Sequence, residues 1–216
     1  MTGRKLNLKA RAARMSETRE RIVHAAYDLH RTVGPAQTTI SAIAEAAGVQ
    51  RHTVYRHFPD ELSLSAACTE YGLARDPQPD PAFLAQITDP RDRLQTALTQ
   101  QYGYYRRNAS LLANVYRDAP LIQQRLQAAG FDWQSVPPAV RSFFEQPAAL
   151  CEVLVRGWPI QVSGAARFSA TVGLAIDFRT WQTLVHDQGL DEAHAIELMV
   201  MLVGCAATIL EAPISQ

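Results

Sequence analysis

Two short helical patterns around one glycine decide the fold of this chain. They lie in the stretch TISAIAEAAGVQRHTVYRHF, residues 39–58. In the first half, apolar residues recur at the three- and four-residue spacing of a helix, and Gly48 then permits the positive φ at which helices commonly end. The second helix is predicted over residues 50–58. Ala44 is small where the two helices must cross, and Val54 falls where the second meets the first.

Flanking helices supply a core for this pair. A helix starting at Ser16 is predicted from apolar residues at helical spacing, and Gly34-Pro35 ends it. Another is predicted over residues 61–74, beginning after Pro59-Asp60. The expected small core comprises Ile22, Ala26, Leu29, Ile40, Ile43, Val49 and Val54.

The exposed face of the second helix is polar and lacks acids. It carries the hydrogen-bonding side chains of Gln50, Arg51, His52, Thr53, Tyr55, Arg56 and His57. Two helices around a tight turn, with such a face, form a helix-turn-helix, which lays its second helix in the major groove of DNA. The absence of carboxylates suits a surface that meets phosphates.

The charge distribution also indicates a polyanionic partner. The 216 residues hold 21 basic and 21 acidic side chains, yet the first sixty residues carry ten Lys/Arg against five acids. The segment 1–15 is basic throughout, with Arg4, Lys5, Lys9, Arg11 and Arg14. We expect either a disordered solubilising tail or an arm that contacts the minor groove or phosphates of DNA.

Several protein classes are excluded by the composition. No apolar segment follows the basic start, so secretion is not expected. The longest uncharged apolar stretch, Leu198–Leu210, has 13 residues, short of the roughly 20 that a membrane span needs. Three widely spaced cysteines predict buried thiols in a reducing cytosol. The common nucleotide-binding, zinc-protease and hydrolase motifs are missing, so we expect a cytoplasmic protein that is no enzyme and holds no cofactor or metal.

A proline-rich seam divides the chain. Residues 76–81 contain three prolines and cannot be helical, which predicts a basic arm at 1–15, a helix-turn-helix domain at 16–75 and a helical domain at 76–216. Within the last segment a helix is expected from Asp89-Pro90 to about Asn108, followed by a break at Asp118-Ala119-Pro120. Two long helices at 165–186 and 191–210 close the chain. The predicted fold class is therefore all-α.

The motif residues resemble the TetR/AcrR family of transcriptional regulators. The matching positions are Thr39, Ile40, Ile43, Ala44, Ala47, Gly48, Val49 and Thr53 to Phe58, followed by Leu64. The resemblance implies that Thr39, beside Thr38, binds a phosphate at the start of its helix, and that Tyr55 and His57 hold the backbone. It also implies that Arg51 and His52 read base edges.

Two departures from the family pattern affect this assignment. Gln50 replaces the usual Ser or Thr, which weakens the cap of the second helix but adds a side chain able to read adenine. Glu61 replaces a Lys that commonly contacts phosphate. An acid there suits the helix dipole but should weaken DNA binding by up to about 1 kcal/mol.

The last two helices are apolar on all sides, so they require cover from more than one direction. We expect a homodimer through a four-helix bundle, which supplies the two-fold symmetry that a palindromic operator requires. The expected interface comprises Phe168, Val172, Ala175, Ile196, Met199, Val200, Val203, Gly204 and Ala207.

Aromatic residues concentrate between the seam and these helices. Core packing explains most of them, whereas the family resemblance implies a pocket for a small hydrophobic effector with a few phenol or indole contacts. The candidate lining residues are Leu98, Tyr102, Tyr105, Tyr116, Phe144, Leu154, Trp158, Phe178 and Trp181. The sequence thus favours a ligand-responsive dimeric repressor. A DNA-binding regulator without a small ligand, and a helical interaction module with a basic head, remain alternatives.

Overall fold

The computed structural model describes the backbone of residues 2–211 and the side chains of residues 9–210. Every regular element in that range is helical, which confirms the predicted fold class. The helices are α1 (Thr2–Thr32), α2 (Ile40–Ala46), α3 (Arg51–His57), α4 (Glu61–Arg75), α5 (Pro81–Leu84), α6 (Pro90–Ala128), α7 (Pro138–Leu154), α8 (Ala165–Ile176), α9 (Phe178–Gln182) and α10 (Glu192–Glu211).

The chain divides into two compact units. The first comprises the chain up to Arg75 together with Ala109–Phe143, and the second comprises Asp76–Asn108 and the chain from Phe144 onward. The first boundary falls at the proline seam. Residues 109–143, which the sequence placed with the later helices, cluster with the first unit instead.

The first unit is built on the core that the sequence predicts. Ile22, Ala26, Ile43 and Val54 are buried, and Leu29, Ile40 and Val49 pack against them partly buried. The later part of the core comes from Phe58, Leu64, Ala67 and Cys68. Burial raises the pKa of the Cys68 thiol to about 12, so this cysteine is the inert buried side chain that was expected.

Helix α1 begins at Thr2, so the prediction of a helix start at Ser16 is wrong. The segment before Ser16 contains no proline and is rich in Ala, Leu, Lys and Arg, which favour helix. The Ser16 hydroxyl donates to the Glu20 carboxylate at 3.0 Å, one turn ahead, rather than capping a helix.

Helix α6 runs through Pro120 to Ala128, so the predicted end near Asn108 and the predicted break at Asp118-Ala119-Pro120 are also wrong. Proline removes one hydrogen bond within a helix. Here tertiary hydrogen bonds hold the same segment in place, including one from the Ala36 N–H to Asp118. This bond joins residues 82 positions apart, a pairing that no local pattern reveals.

In the second unit, the predicted helix 165–186 is broken at Asp177. This residue is extended, and its carboxylate accepts from the Arg179 N–H at 2.7 Å, starting α9. A π-helical turn, Thr183–Asp187, then precedes α10. The prediction that residues 76–81 cannot be helical is wrong at Pro81, which begins the short helix α5 because proline is tolerated at a first helical position. Asp80 caps this helix through the Ala82 N–H.

Helix α10 bears on two expectations, the absence of a membrane span and the burial of the cysteines. Of the described helices, it is the one long and apolar enough to cross a membrane by length and composition, over Glu192–Leu210. Core helices of soluble proteins pass the same test, and α10 packs against α8 in the second unit. Cys205 on α10 is exposed and Cys151 is half-buried, so only Cys68 is the buried thiol expected of all three.

Candidate nucleic-acid interface

The turn between α2 and α3 has the geometry of a helix-turn-helix. Gly48 has a φ of 64°, and the Val49 N–H donates to the Ala44 carbonyl at 2.9 Å, which closes the C-terminal turn of α2. Buried Ala44 and Val54 lie between the helices. The core therefore fixes α3 on one side and leaves its opposite face accessible.

The N-terminus of α2 is capped by the side chain of Thr39. The Thr39 hydroxyl accepts from the Ala42 N–H at 3.1 Å, and Thr39 itself is exposed. The Thr38 hydroxyl is half-buried and donates to the Gly34 carbonyl at 2.8 Å. Thr39 and the first N–H groups of α2 are thus available to an anion, whereas the proton of the Thr38 hydroxyl is already bound within the chain.

Helix α3 presents the predicted polar side chains to solvent. Arg51, His52, Tyr55 and Arg56 are exposed, and Tyr55 exposes 47% of its surface. Gln50 is also exposed. Its side chain makes no capping hydrogen bond within the described part of the chain, so it is available for other contacts.

Two members of the predicted set are only half-exposed. Thr53 lies beside His52, with 3.5 Å between its Oγ1 atom and the His52 Nε2 atom. The His57 Nε2 atom is buried without a hydrogen-bond partner among the described residues. Burial, followed by nearby Arg56 and Arg19, lowers the pKa of His57. A neutral His57 can therefore meet a phosphate only through its other ring nitrogen.

The N-terminal part of α1 adds basic side chains on a helix. Lys9, Arg11 and Arg14 are exposed, and no acid occurs before Glu17. Arg4 and Lys5, which were predicted to contact DNA, have side chains outside the described residues. Residues 2–15 are thus helical, unlike the disordered tail that was one of the two predicted alternatives. Contact between this helical segment and DNA stays a prediction.

Glu61 begins α4 and is exposed. Its neighbour Asp60 caps the helix, since the Asp60 carboxylate accepts from the Ser63 N–H at 2.6 Å. The carboxylate of Glu61 therefore lies at a positive helix end, as expected from the dipole argument.

The aromatic residues predicted to bind an effector fall into both units. Tyr116 lies in the first unit, whereas the others lie in the second. Tyr102, Tyr105, Phe178 and Trp181 form one buried aromatic cluster, in which Tyr105 contacts Phe178 edge-on with 5.2 Å between ring centroids. Leu98 and Leu154 are also buried in this unit, and Phe144 and Trp158 are half-buried.

The polar atoms of this cluster are partly used by the protein. The Tyr102 hydroxyl donates to the Ala175 carbonyl at 2.9 Å and the Tyr105 hydroxyl to the Ile176 carbonyl at 2.7 Å, so these phenols are not the free contacts that were expected. The Trp181 Nε1 and Gln101 Oε1 atoms are buried without hydrogen-bond partners among the described residues. Gln101 lies one helical turn from Tyr105, which contacts Trp181.

The residues predicted to form the dimer interface are mostly buried within the single chain. Eight of the nine are core residues of the second unit, namely Phe168, Val172, Ala175, Ile196, Met199, Val200, Val203 and Ala207. The ninth, Gly204, is half-buried against Arg91, whose Nη2 atom would lie 2.9 Å from an added Cβ. Helical periodicity could not separate the inner from the outer side, because both are apolar.

An exposed apolar stripe lies on the other side of the same helices. On α10 it consists of Met201, Leu202, Cys205 and Ile209, and Leu174 is a further exposed apolar residue on α8. Leu174 and Ile209 expose 61% and 73% of their surfaces, which is unusual for residues of their type. The stripe has the residue spacing of one helix face on α10.

Comparisons with known proteins agree with this geometry. Residues 22–68 match the family model of the bacterial regulatory proteins of the tetR family. An uncharacterised HTH-type transcriptional regulator of Mycobacterium tuberculosis, found in two strains, is 30% identical over 102 residues, which cover 47% of this chain and 50% of the relative. The match thus spans about half the length of these curated relatives.

Solved structures share the whole fold. A tetR-family transcriptional regulator from Streptomyces coelicolor is 19% identical with a TM-score of 0.53, covering 90% of this chain and 80% of that one. The fatty acid degradation regulator of Bacillus halodurans is 16% identical with a TM-score of 0.52, covering 86% and 94%. These identities establish the fold alone. The likeness to a family is carried by residues 22–68, the helix-turn-helix segment, which are similar to the bacterial regulatory proteins of the tetR family.

Proposed function

We propose that this protein is a sequence-specific DNA-binding regulator of transcription. The observation that carries the proposal is the exposed, acid-free polar face of α3, held on a buried core next to the open N-terminus of α2. Arg51 and His52 read base edges at the start of α3. Thr39, Tyr55 and the α2 N–H groups bind phosphates and fix the orientation of the helix on DNA.

The regulator acts as a homodimer on a palindromic operator. The exposed apolar stripe of α8 and α10 supports this, because an apolar helix face is stable only when it is covered. A second copy presents the same stripe, as a two-fold interface requires. A two-fold dimer places two α3 helices on two half-sites one helical turn of DNA apart, or a multiple of it. The protein works at the bacterial nucleoid, in the cytoplasm.

A small hydrophobic effector releases this repressor from DNA. The support is the pair of unpartnered buried atoms beside the aromatic cluster, Trp181 Nε1 and Gln101 Oε1, since such atoms in a native protein usually bind water or a ligand. A ligand with one hydroxyl among apolar groups satisfies both. It shifts the protein away from the DNA-binding state by its differential affinity for the two states.

One observation favours a regulator without an effector. The Tyr102 and Tyr105 hydroxyls bond to backbone carbonyls and their rings are fully buried, as in an ordinary packed core. In that case the second unit serves dimer formation alone.

The first experiment is selection of bound sequences from a random duplex library at fixed salt with the full chain. We expect enrichment of an inverted repeat, which would also define the operator. Salt-sensitive binding without enrichment would contradict the proposal and leave a basic head that binds polyanions without sequence preference. Operator affinity is then measured with a panel of apolar alcohols and acids. Release by none of them favours the regulator without an effector.

A further inference from the structure

Three polar side chains of α6 bind the C-terminal end of α1. Asn114, Arg117 and Asp118 lie on one helix face and belong to the first unit. The Asn114 Nδ2 group donates to the carbonyls of His30 at 3.0 Å and Arg31 at 2.9 Å. The last carbonyls of a helix have no partner within it, so Asn114 acts as a side-chain cap from another helix.

The same three residues also hold the turn that follows α1. The Arg117 Nη2 group donates to the Val33 carbonyl at 3.0 Å, and the Ala36 N–H donates to Asp118 Oδ2 at 3.0 Å. Arg117 in turn donates to Asp118 Oδ1 and to Asn114 Oδ1, each at 2.8 Å. We call this closed network the polar clamp.

Two of the three residues of the polar clamp are buried, which makes their hydrogen bonds important for the fold. Asn114 exposes 9% and Asp118 6% of its surface, so their hydrogen bonds are costly to leave unmade. Burial opposes ionisation of Asp118, but the bonds from Arg117 and from the Ala36 N–H outweigh it and lower the pKa of the carboxyl group. The clamp therefore stays charged and intact at neutral pH.

Gly34 is the residue that the polar clamp encloses. Its φ is 97°, and an added Cβ would lie 2.2 Å from Arg117 Nη2 and 2.4 Å from Asp118 Oδ2. Both distances are far below van der Waals contact. Any side chain at this position therefore displaces the two clamp residues.

The clamped turn leads directly to the candidate phosphate site. The Thr38 N–H donates to the Pro35 carbonyl at 3.3 Å, and the Thr38 hydroxyl donates to the Gly34 carbonyl at 2.8 Å. Thr39, the next residue, caps α2. The position of the α2 N-terminus thus depends on a turn that α6 holds through the polar clamp.

We infer that Asn114, Arg117 and Asp118 are positioning residues for DNA binding, which set the N-terminus of α2 where it meets the phosphate backbone. This inference rests on the proposed DNA-binding function. It assigns to residues 114–118, which lie outside the helix-turn-helix, control over the contact that Thr39 makes.

The test compares Gly34→Ala with Gly130→Ala in the full chain. Both glycines have positive φ, and an added Cβ at Gly130 meets nothing within 4 Å among the described residues. Gly34 also has a ψ of 157°, a backbone region essentially restricted to glycine, so Gly34→Ala adds backbone strain to the clash with the clamp. At a temperature where both are folded by circular dichroism, we expect Gly34→Ala to lose roughly tenfold in affinity for the selected operator, the size of one lost hydrogen bond to a phosphate. Gly130→Ala should bind like the wild type.

A double-mutant cycle separates positioning from general stabilisation. If the polar clamp acts through the α2 N-terminus, the affinity losses of Gly34→Ala and Thr39→Ala are less than additive, whereas those of Gly34→Ala and Arg51→Ala add. Asp118→Asn is measured in the same cycle, because it leaves the backbone at Gly34 unstrained. Its amide keeps one acceptor oxygen and replaces the other with an NH2 donor, so the bond from either the Ala36 N–H or Arg117 is lost.

The outcomes distinguish the two proposals. A wild-type chain that selects no operator overturns the proposed function. A wild-type chain that binds its operator, with Gly34→Ala equal to Gly130→Ala or with additive losses in the Thr39 cycle, overturns the positioning role of the polar clamp.

Discussion

Arg51 has an exposed guanidinium at the first position of α3, where the side chains of a recognition helix reach furthest into the groove. We expect Arg51→Ala to weaken operator binding by about 1–3 kcal/mol and to relax the preference at one operator position. The measurement is a titration against the operator and its single-base variants.

Tyr55 provides the matched control on the same helix. Tyr55→Phe removes one hydroxyl and should weaken binding to operator and random DNA by a similar factor, as loss of a phosphate contact does. If Arg51→Ala likewise weakens both DNAs equally, then Arg51 is a phosphate contact and the base-reading role belongs elsewhere on α3.

His30 makes folding of the first unit sensitive to pH. Burial lowers its pKa from 6.5 to about 4, although the nearby charge of Asp118 acts in the opposite direction. As the pH falls below about 6.5, the unfolded chain takes up a proton before the folded chain does. The free energy of unfolding should therefore decrease, by up to about 3 kcal/mol, as the pH is lowered from 6.5 to about 4.

The measurement is chemical denaturation of the wild type and of His30→Gln between pH 7 and pH 5, above the range where most carboxylates titrate. The variant should show a flatter pH dependence. If the free energy of unfolding depends on pH with the same slope in both proteins, then His30 takes up its proton equally in the folded and unfolded states.

At the scale of the element, α2 depends on its cap because it has seven residues and little helical stability of its own. Thr39→Ala should lower the free energy of unfolding by about 1 kcal/mol, since the Ala42 N–H loses its acceptor. Thr39→Ser keeps the hydroxyl and should therefore retain most of the free energy of unfolding that Thr39→Ala loses. Urea denaturation checks both, and equal stability of the Ala and Ser variants would show that the cap contributes little.

Helix α6 continues past a sequence that usually ends a helix. Asp118-Ala119-Pro120 is typical of a helix end, yet the helix continues because Asn114 and Asp118 gain partners near the end of α1. The reverse occurs at Asp177, where apolar residues continue on both sides but an extended capping residue divides α8 from α9. In both cases polar side chains decide where the helix ends.

At the scale of the whole molecule, the exposed apolar stripe predicts a homodimer. Leu202→Glu places a charge in this stripe, where burial against a second copy would be costly. We expect the variant to be monomeric by sedimentation equilibrium at concentrations where the wild type is dimeric. Operator binding should weaken strongly, because each α3 then binds one half-site alone.

Leu121→Glu is the matched control, because Leu121 and Leu202 expose 44% and 45% of their surfaces and only Leu202 lies in the stripe. The control should remain dimeric with wild-type thermal stability. If Leu202→Glu also remains dimeric, the two copies associate through a different surface.

The sequence by itself determined the helix-turn-helix. The spacing of its apolar residues, the glycine of the turn and the cap at Thr39 are local signals, and local physical chemistry is enough to interpret them. The polar face of α3 followed from the same register, so the candidate DNA-binding residues could be named in advance. The helical fold class and the seam at residues 76–81 also rest on local signals, those of proline and of helical periodicity.

Features that depend on contacts between residues distant in sequence were decided by the tertiary structure alone. Which side of α8 and α10 is exposed could not be predicted, because both sides are apolar and only packing distinguishes them. The polar clamp joins residues more than eighty positions apart, and its members had no signal beyond an apparent helix end. Local preferences fix short elements, whereas hydrogen bonds between distant segments fix where those elements continue and how they are held.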